Sequence, residues 1–98
     1  MSKSYPVYTL DKKPEFPHLD ERLLKVLSSK TRLEILKRLS ESQMTLSDLA
    51  RVLDFCKSTV FEHLKMLYEA GLVYRITGRK WIYYRLSKHG VRVLHMVS

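Results

Sequence analysis

The side chains with the most usable chemistry are gathered in one short run: Lys57, Ser58, Thr59, Phe61, Glu62 and Lys65. On a helix advancing by ~100° per residue, Val60, Leu64 and Leu67 point one way, and Ser58, Glu62 and Lys65 point the other. Lys57 and Phe61 sit on one shoulder, Thr59 on the other. Hydroxyls and an ammonium in a first helical turn, beside unpaired backbone N–H groups, suit phosphate oxygens or base edges. Glu62 can accept a hydrogen bond from a cytosine amino group, and Phe61 can touch a thymine methyl. This is not a reacting set. The chain has no Gly-rich phosphate loop, no paired nucleophile and base, and no His/Cys/Asp spacing suited to a metal. The expected chemistry is recognition of a nucleic-acid groove, with plain solvation of a polar face as the competing reading. No enzyme activity, cofactor or metal is expected.

A groove-reading helix needs a second helix to hold it. The stretch Leu46 to Lys65 reads as two short helices joined by a sharp corner at Asp54, Phe55 and Cys56. Leu46, Leu49, Ala50 and Leu53 recur at helical spacing in the first. Thr45 precedes it as an N-cap, with Asp48 three residues on in the manner of a capping box. Ala50 is small enough for a close helix crossing, and Asp54 can take the left-handed backbone of the turn, though less readily than Gly. A small residue, a turn residue and the buried Val60 form the spacing of a helix-turn-helix.

The flanking segments complete a domain that is mainly α with a small β-hairpin. Leu19 to Ser28 reads as a helix with Leu23, Leu24 and Leu27 as its apolar stripe. Lys30 to Ser40 reads as a second, with Ile35, Leu36 and Leu39 inward and Glu34 paired to Lys37 or Arg38. Ser28 or Ser29 can cap the latter. Arg32 reads as a surface residue, its long stem and fixed donors being the other reading, and His63 as a core-edge histidine held by a hydrogen bond, against a ligand role. Glu41 to Met44 is a loop or a short strand. The recognition helix, about 57–70, ends at Gly71 in a left-handed cap. An alternating segment from Leu72 to Thr77 and a returning strand from Trp81 to Leu86 form a hairpin, about 72–86. Its turn is Thr77-Gly78-Arg79-Lys80, with Gly78 able to take a positive φ. A lone hairpin is marginal, so it must lean on the helices through Leu72, Ile82, Tyr84 and Leu86. Its tip carries Arg79 and Lys80, with Arg75 nearby. Ser87 caps a last helix, Lys88 to Val97. The aromatics Tyr74, Trp81, Tyr83 and Tyr84 are explained by hairpin core and dimer packing, or else by a stacking platform for single strands.

The chain has 98 residues, which suits one domain, and a net charge of +8. The charge is lopsided: Met1 to Cys56 carries +2, and Lys57 to Ser98 carries +6. A basic field centred on the recognition helix and hairpin suggests nucleic acid, against a generally basic soluble surface. A single cysteine excludes an internal disulfide framework and fits an intracellular protein. At the start of a helix the Cys56 thiol can be acidified by the dipole; an inert thiol is the simpler reading, a redox switch the other. No apolar run approaches the ~20 residues of a membrane span, and the N-terminus lacks a secretory leader pattern. The expected location is cytoplasmic and nucleoid-associated. There is no Asn and a single Gln, a depletion seen in thermophiles. Residues 1–18, with Pro6, Pro14 and Pro17, form a separate N-terminal arm or disordered leader to the domain of residues 19–98. Val91, Val93, Leu94, Met96 and Val97 spread too widely around the last helix for one small subunit to cover, so a two-fold homodimer is expected.

Three helices followed by a hairpin with a basic tip make a winged helix-turn-helix. The runs TRLEILKRL, LSDLARVL, STVFEHLKMLYEAGLV and GRKWIYYRLS resemble the ArsR-type family of small dimeric bacterial and archaeal repressors, over about Leu19 to Leu94. The resemblance implies a sequence-specific double-stranded-DNA-binding transcriptional regulator, expected to be a repressor. DNA contact would come from Thr45, Ser47, Lys57, Ser58, Thr59, Phe61, Glu62 and Lys65, and from Arg75, Arg79 and Lys80 of the wing. The homodimer would use the first and last helices, through Leu23, Leu24, Leu27, Val91, Leu94 and Val97. The chain departs from the family's usual small turn residue at Asp54, frequent Ser at Phe61, and frequent basic or amide residue at Glu62. Metal-sensing members carry cysteine clusters, or acidic and histidine pairs on the last helix. Here Cys56 stands alone, and His89 and His95 are six residues apart, which does not align them on one face. The expected type is therefore non-metal-sensing, and the resemblance is to archaeal-like members. The alternative is a winged-helix protein-interaction module of a transcription complex, although such a module can dispense with a basic wing.

Overall fold

A computed structural model describes residues 9–11 and 21–97. The rest of the expected leader, with Leu19 and Asp20, lies outside the described residues. The elements are β1 (Thr9–Asp11), α1 (Glu21–Leu27), α2 (Lys30–Glu41), β2 (Met44–Thr45), α3 (Leu46–Leu53), α4 (Lys57–Glu69), β3 (Val73–Thr77), β4 (Ile82–Leu86) and α5 (Lys88–Val97). The strands form one antiparallel sheet in the order β1-β3-β4-β2. This is a winged helix-turn-helix: α3 and α4 are the helix pair, and β3 and β4 are the wing. Thr9 pairs with Thr77 and Asp11 with Arg75, so β1 covers the outer edge of the wing.

Local chemistry sets the helix ends. The Ser29 hydroxyl accepts from the Arg32 N–H at 3.1 Å and starts α2. At α3 the capping box is complete. Thr45 Oγ1 accepts from Asp48 N–H at 3.1 Å, and Asp48 Oδ2 accepts from Thr45 N–H at 3.2 Å. The corner closes with Asp54 left-handed at φ 60°. Phe55 N–H donates to Ala50 O at 3.1 Å, and Asp54 N–H to Arg51 O at 3.3 Å, which satisfies the last carbonyls of α3. The same device ends α4: Gly71 has φ 79°, Leu72 N–H reaches Leu67 O at 2.9 Å, and Gly71 N–H reaches Tyr68 O at 3.0 Å.

Ile35, Leu36, Leu49, Val60, Leu64, Leu67, Leu72 and Val73 are all at 0% exposure, so α2, α3, α4 and the base of the wing meet in one core. Four expectations need correction. In α1 the buried pair is Leu23 and Val26, three apart; Leu27 is half-buried and Leu24 is exposed. Ile82 is exposed too: it shares the face of Tyr84 but lies at the tip end of β4. Gly78 does not take a positive φ; its N–H donates to Trp81 O at 2.9 Å and closes the turn. Trp81 is 59% exposed at that tip and is no part of the subunit's hairpin core, whereas Tyr84 is. Glu34 pairs with Arg38, its i+4 partner, at 3.4 Å.

Candidate nucleic-acid interface

The corner at Asp54 decides what α4 presents. It turns the chain so that Val60, Leu64 and Leu67 seal against the core at 0% exposure. Lys57, Ser58, Thr59, Phe61, Glu62 and Lys65 are then all left exposed. The backbone N–H groups of the first turn of α4 have no carbonyl of their own helix to bond, and that of Thr59 interacts with the sulfur of the N-cap Cys56. Its end of the helix dipole is positive, and anions are favoured there. The same sulfur lies 3.4 Å from Ser58 Oγ and 3.1 Å from Thr59 Oγ1. Hydrogen bonds from Ser58, then Thr59, stabilise the thiolate and bring the thiol pKa down to about 7.

The other expected contact residues divide. Arg79 and Lys80 are exposed at the wing tip. Arg75 is half-buried, with its guanidinium carbon 4.7 Å from the centre of the Tyr68 ring, so it packs the wing back against α4. Thr45 and Ser47 are half-buried at the start of α3, and the Thr45 hydroxyl is already engaged in the capping box. Arg51, exposed on α3, is paired with Asp48 at 3.1 Å. Among the residues expected between two copies, Leu24, Val91 and Val97 are exposed and Leu27 is half-buried. Leu23 and Leu94 are buried within the subunit, and Met96, at 62%, is the more open side chain.

Arg32 was misplaced by sequence reasoning. It is half-buried, and its guanidinium bonds to Val26 O, Lys25 O, His63 Nδ1 and the Met66 sulfur. The signal was present: Arg32, Leu36 and Leu39 fall at i, i+4 and i+7, on the buried stripe of α2. His63 is held by this hydrogen bond at the core edge, as expected. Among the described residues, no group of three or more His, Cys, Asp or Glu side chains can hold a metal ion. None of the described helices is long and apolar enough to cross a membrane.

Comparison with known proteins places this architecture. Residues 29–75 match the family described as bacterial regulatory protein, arsR family. The chain is 39% identical over 69 residues to an arsenical resistance operon repressor of Escherichia coli, covering 69% of this chain and 59% of that protein. It is 33% identical over 75 residues to the arsenical resistance operon repressor of Bacillus subtilis, covering 76% of this chain and 71% of the relative. Among solved structures it resembles the homodimeric winged helix-turn-helix DNA-binding domain of a possible ArsR-family regulator from Mycobacterium bovis. That match has a TM-score of 0.72 at 26% identity and covers 78% of this chain and 71% of the other. With its helix-turn-helix, its basic wing and these relatives, the chain belongs to the arsR family of bacterial regulatory proteins.

Proposed function

We propose that the protein is a homodimeric transcriptional regulator, a repressor, that binds double-stranded DNA in a sequence-specific manner. The observation that carries the reading is the division of α4. One face is sealed in the core, while Lys57, Ser58, Thr59, Phe61, Glu62 and Lys65 are exposed, as are Arg79 and Lys80 at the tip of the wing. In this reading α4 enters the major groove, where each base pair shows a distinct pattern of donors and acceptors. The wing follows the backbone or minor groove. Thr45 and Ser47 approach phosphates at the start of α3, and Arg75 supports the wing. Two copies join through α1 and α5, with Leu24, Leu27, Val91 and Val97 at the seam and Leu23 and Leu94 backing it. Residues 1–18 act as an arm to the domain of residues 19–98, and the protein works in the cytoplasm on the nucleoid.

The relatives named for arsenical resistance raise the question of a metal or metalloid effector. One cysteine per chain is far short of a thiolate cluster, and it sits at the DNA-facing end of α4. We place the protein among the non-metal-sensing members.

The test is a salt titration on a selected duplex and on a scrambled one. Replacing Arg79 and Lys80 by Ala should weaken both duplexes by similar factors. It should also flatten the plot of log affinity against log salt by about one unit per lost phosphate contact. Glu62→Ala should relax preference at about one base pair per half-site, by roughly 1–3 kcal/mol. A wing variant that loses specific binding alone, or a Glu62→Ala protein with unchanged base preference, would refute these roles.

A further inference from the structure

The guanidinium of Arg32 lies where three helices meet, and it faces two of them at once. Toward α1, Arg32 Nε donates to Val26 O at 2.6 Å and Nη2 to Lys25 O at 3.2 Å. These carbonyls belong to the last turn of α1, where a cation is favoured; Lys25 O also accepts from the Ser28 N–H at 3.2 Å and the Ser28 hydroxyl at 2.7 Å. Toward α4, Nη1 lies 3.1 Å from His63 Nδ1 and 3.4 Å from the Met66 sulfur. An arginine has only donors. His63 Nδ1 must therefore be the acceptor, which requires a neutral ring with its proton on Nε2. A protonated ring has two donors and no acceptor. It would face the guanidinium with a like charge and without a hydrogen bond.

We propose that Arg32 is a positioning residue that ties the end of α1 to α4 through an unprotonated His63, so that protonation of His63 loosens α4. The proposal rests on reading α4 as the helix that contacts DNA, and it adds a link from α1, whose Leu24 is exposed, to that helix. Charged groups of both signs stand around the junction, and the one that acts on the ring is Arg32. Arg32 approaches from α2, and Arg22 and Lys25 of α1 line the adjoining cleft with Met66 and Glu69 of α4. From α3, Asp48 and Arg51 are paired with each other, and from β3, Arg75 lies over Tyr68. Burial first, then the Arg32 charge, holds the His63 pKa below the ordinary 6.5. The neutral form thus prevails above that value, and the link is lost as pH falls through the lowered one.

The experiment follows the full-length protein from about pH 8 to about pH 5 at fixed ionic strength, with the His63→Asn and Arg32→Lys variants beside the wild type. Asn keeps an acceptor near the position of Nδ1 and does not titrate; Lys keeps the charge without the planar fork. Without DNA, the protection of α4 amides, taken relative to the intrinsic exchange rate at each pH, should fall in the wild type as His63 takes its proton, and the His63→Asn variant should show no such step. On a selected duplex the wild type should lose roughly tenfold in affinity across the same step. The His63→Asn variant should hold its affinity, and Arg32→Lys should start weaker. The proposal is overturned if α4 exchange ignores the protonation of His63, or if His63→Asn keeps the wild-type pH profile. Absence of duplex binding at every pH would instead sink the reading of α4, while the exchange measurement would still decide the link.

Discussion

Ser87→Ala should cost this small domain a large share of its stability. Ser87 is the buried polar residue among those described, at 1% exposure. Its hydroxyl donates to Gly71 O at 2.7 Å and accepts from Gly90 N–H at 2.9 Å. One atom thus serves as the N-cap of α5 and satisfies a carbonyl just beyond α4. Losing an N-cap hydroxyl costs about 1 kcal/mol. Leaving a buried carbonyl without its donor costs a further 1–3 kcal/mol or so. The expected loss is about 2–4 kcal/mol, against a total of roughly 5–15 kcal/mol for a domain. The assay is urea denaturation at one fixed subunit concentration, because dimer formation shifts apparent stability. Ser58→Ala, at an exposed position of α4, serves as the control and should stay within about 0.5 kcal/mol. If Ser87→Ala also stays within that margin, the hydroxyl is not the connection between the wing base and α5 that its geometry implies.

Gly90→Ala should destabilise by roughly 1–3 kcal/mol or prevent α5 from docking. A Cβ there would overlap the Leu72 carbonyl oxygen and lie 2.7 Å from Leu86 Cδ1; an unshifted melting midpoint would contradict this. Asp54→Gly should stabilise by up to about 1 kcal/mol, since φ 60° strains any residue with a Cβ, and Asp54→Val should destabilise; equal midpoints for both would refute the strain. The Cys56 thiol, lowered to about 7, should react with iodoacetamide at a rate that rises through neutral pH. Replacing Ser58 and Thr59 by Ala should move that midpoint up toward the ordinary 9.0, and a midpoint unmoved would exclude their hydroxyls as the cause.

The helix-turn-helix was legible because each of its signals is local. Thr45 and Asp48 cap within four residues, Asp54 marks the corner by its tolerance of the left-handed region, and Val60, Leu64 and Leu67 mark the buried face by period alone. Gly71 was legible for the same reason. What escaped depended on tertiary context. Leu24 and Val26 are both apolar, and only the direction from which α2 approaches α1 decides that Val26 is buried. Ile82 alternates correctly with Tyr84, but period 2 does not say how far along the strand the helices reach. Gly78 stood in a plausible turn, yet several turn types fit four residues, and the one formed needs no positive φ there. Arg32 reads as a surface residue from its type, although its spacing puts it on the buried stripe. Its acceptors come from α1 and α4, which no local pattern joins. The contact residues were read as types on a face. Their exposure follows from the fold, but which base each one meets does not.

The central claim is that two copies of this chain read duplex DNA with α4 and the wing. Selection of bound sequences from random duplex DNA, followed by hydroxyl-radical footprinting of the winner, tests it most directly. The account predicts a two-fold symmetric sequence whose half-sites lie about one helical turn apart, or a multiple of it, with protection confined to one face of the duplex. No enrichment over the random pool, or an enriched site without two-fold symmetry bound by a single copy, would contradict it.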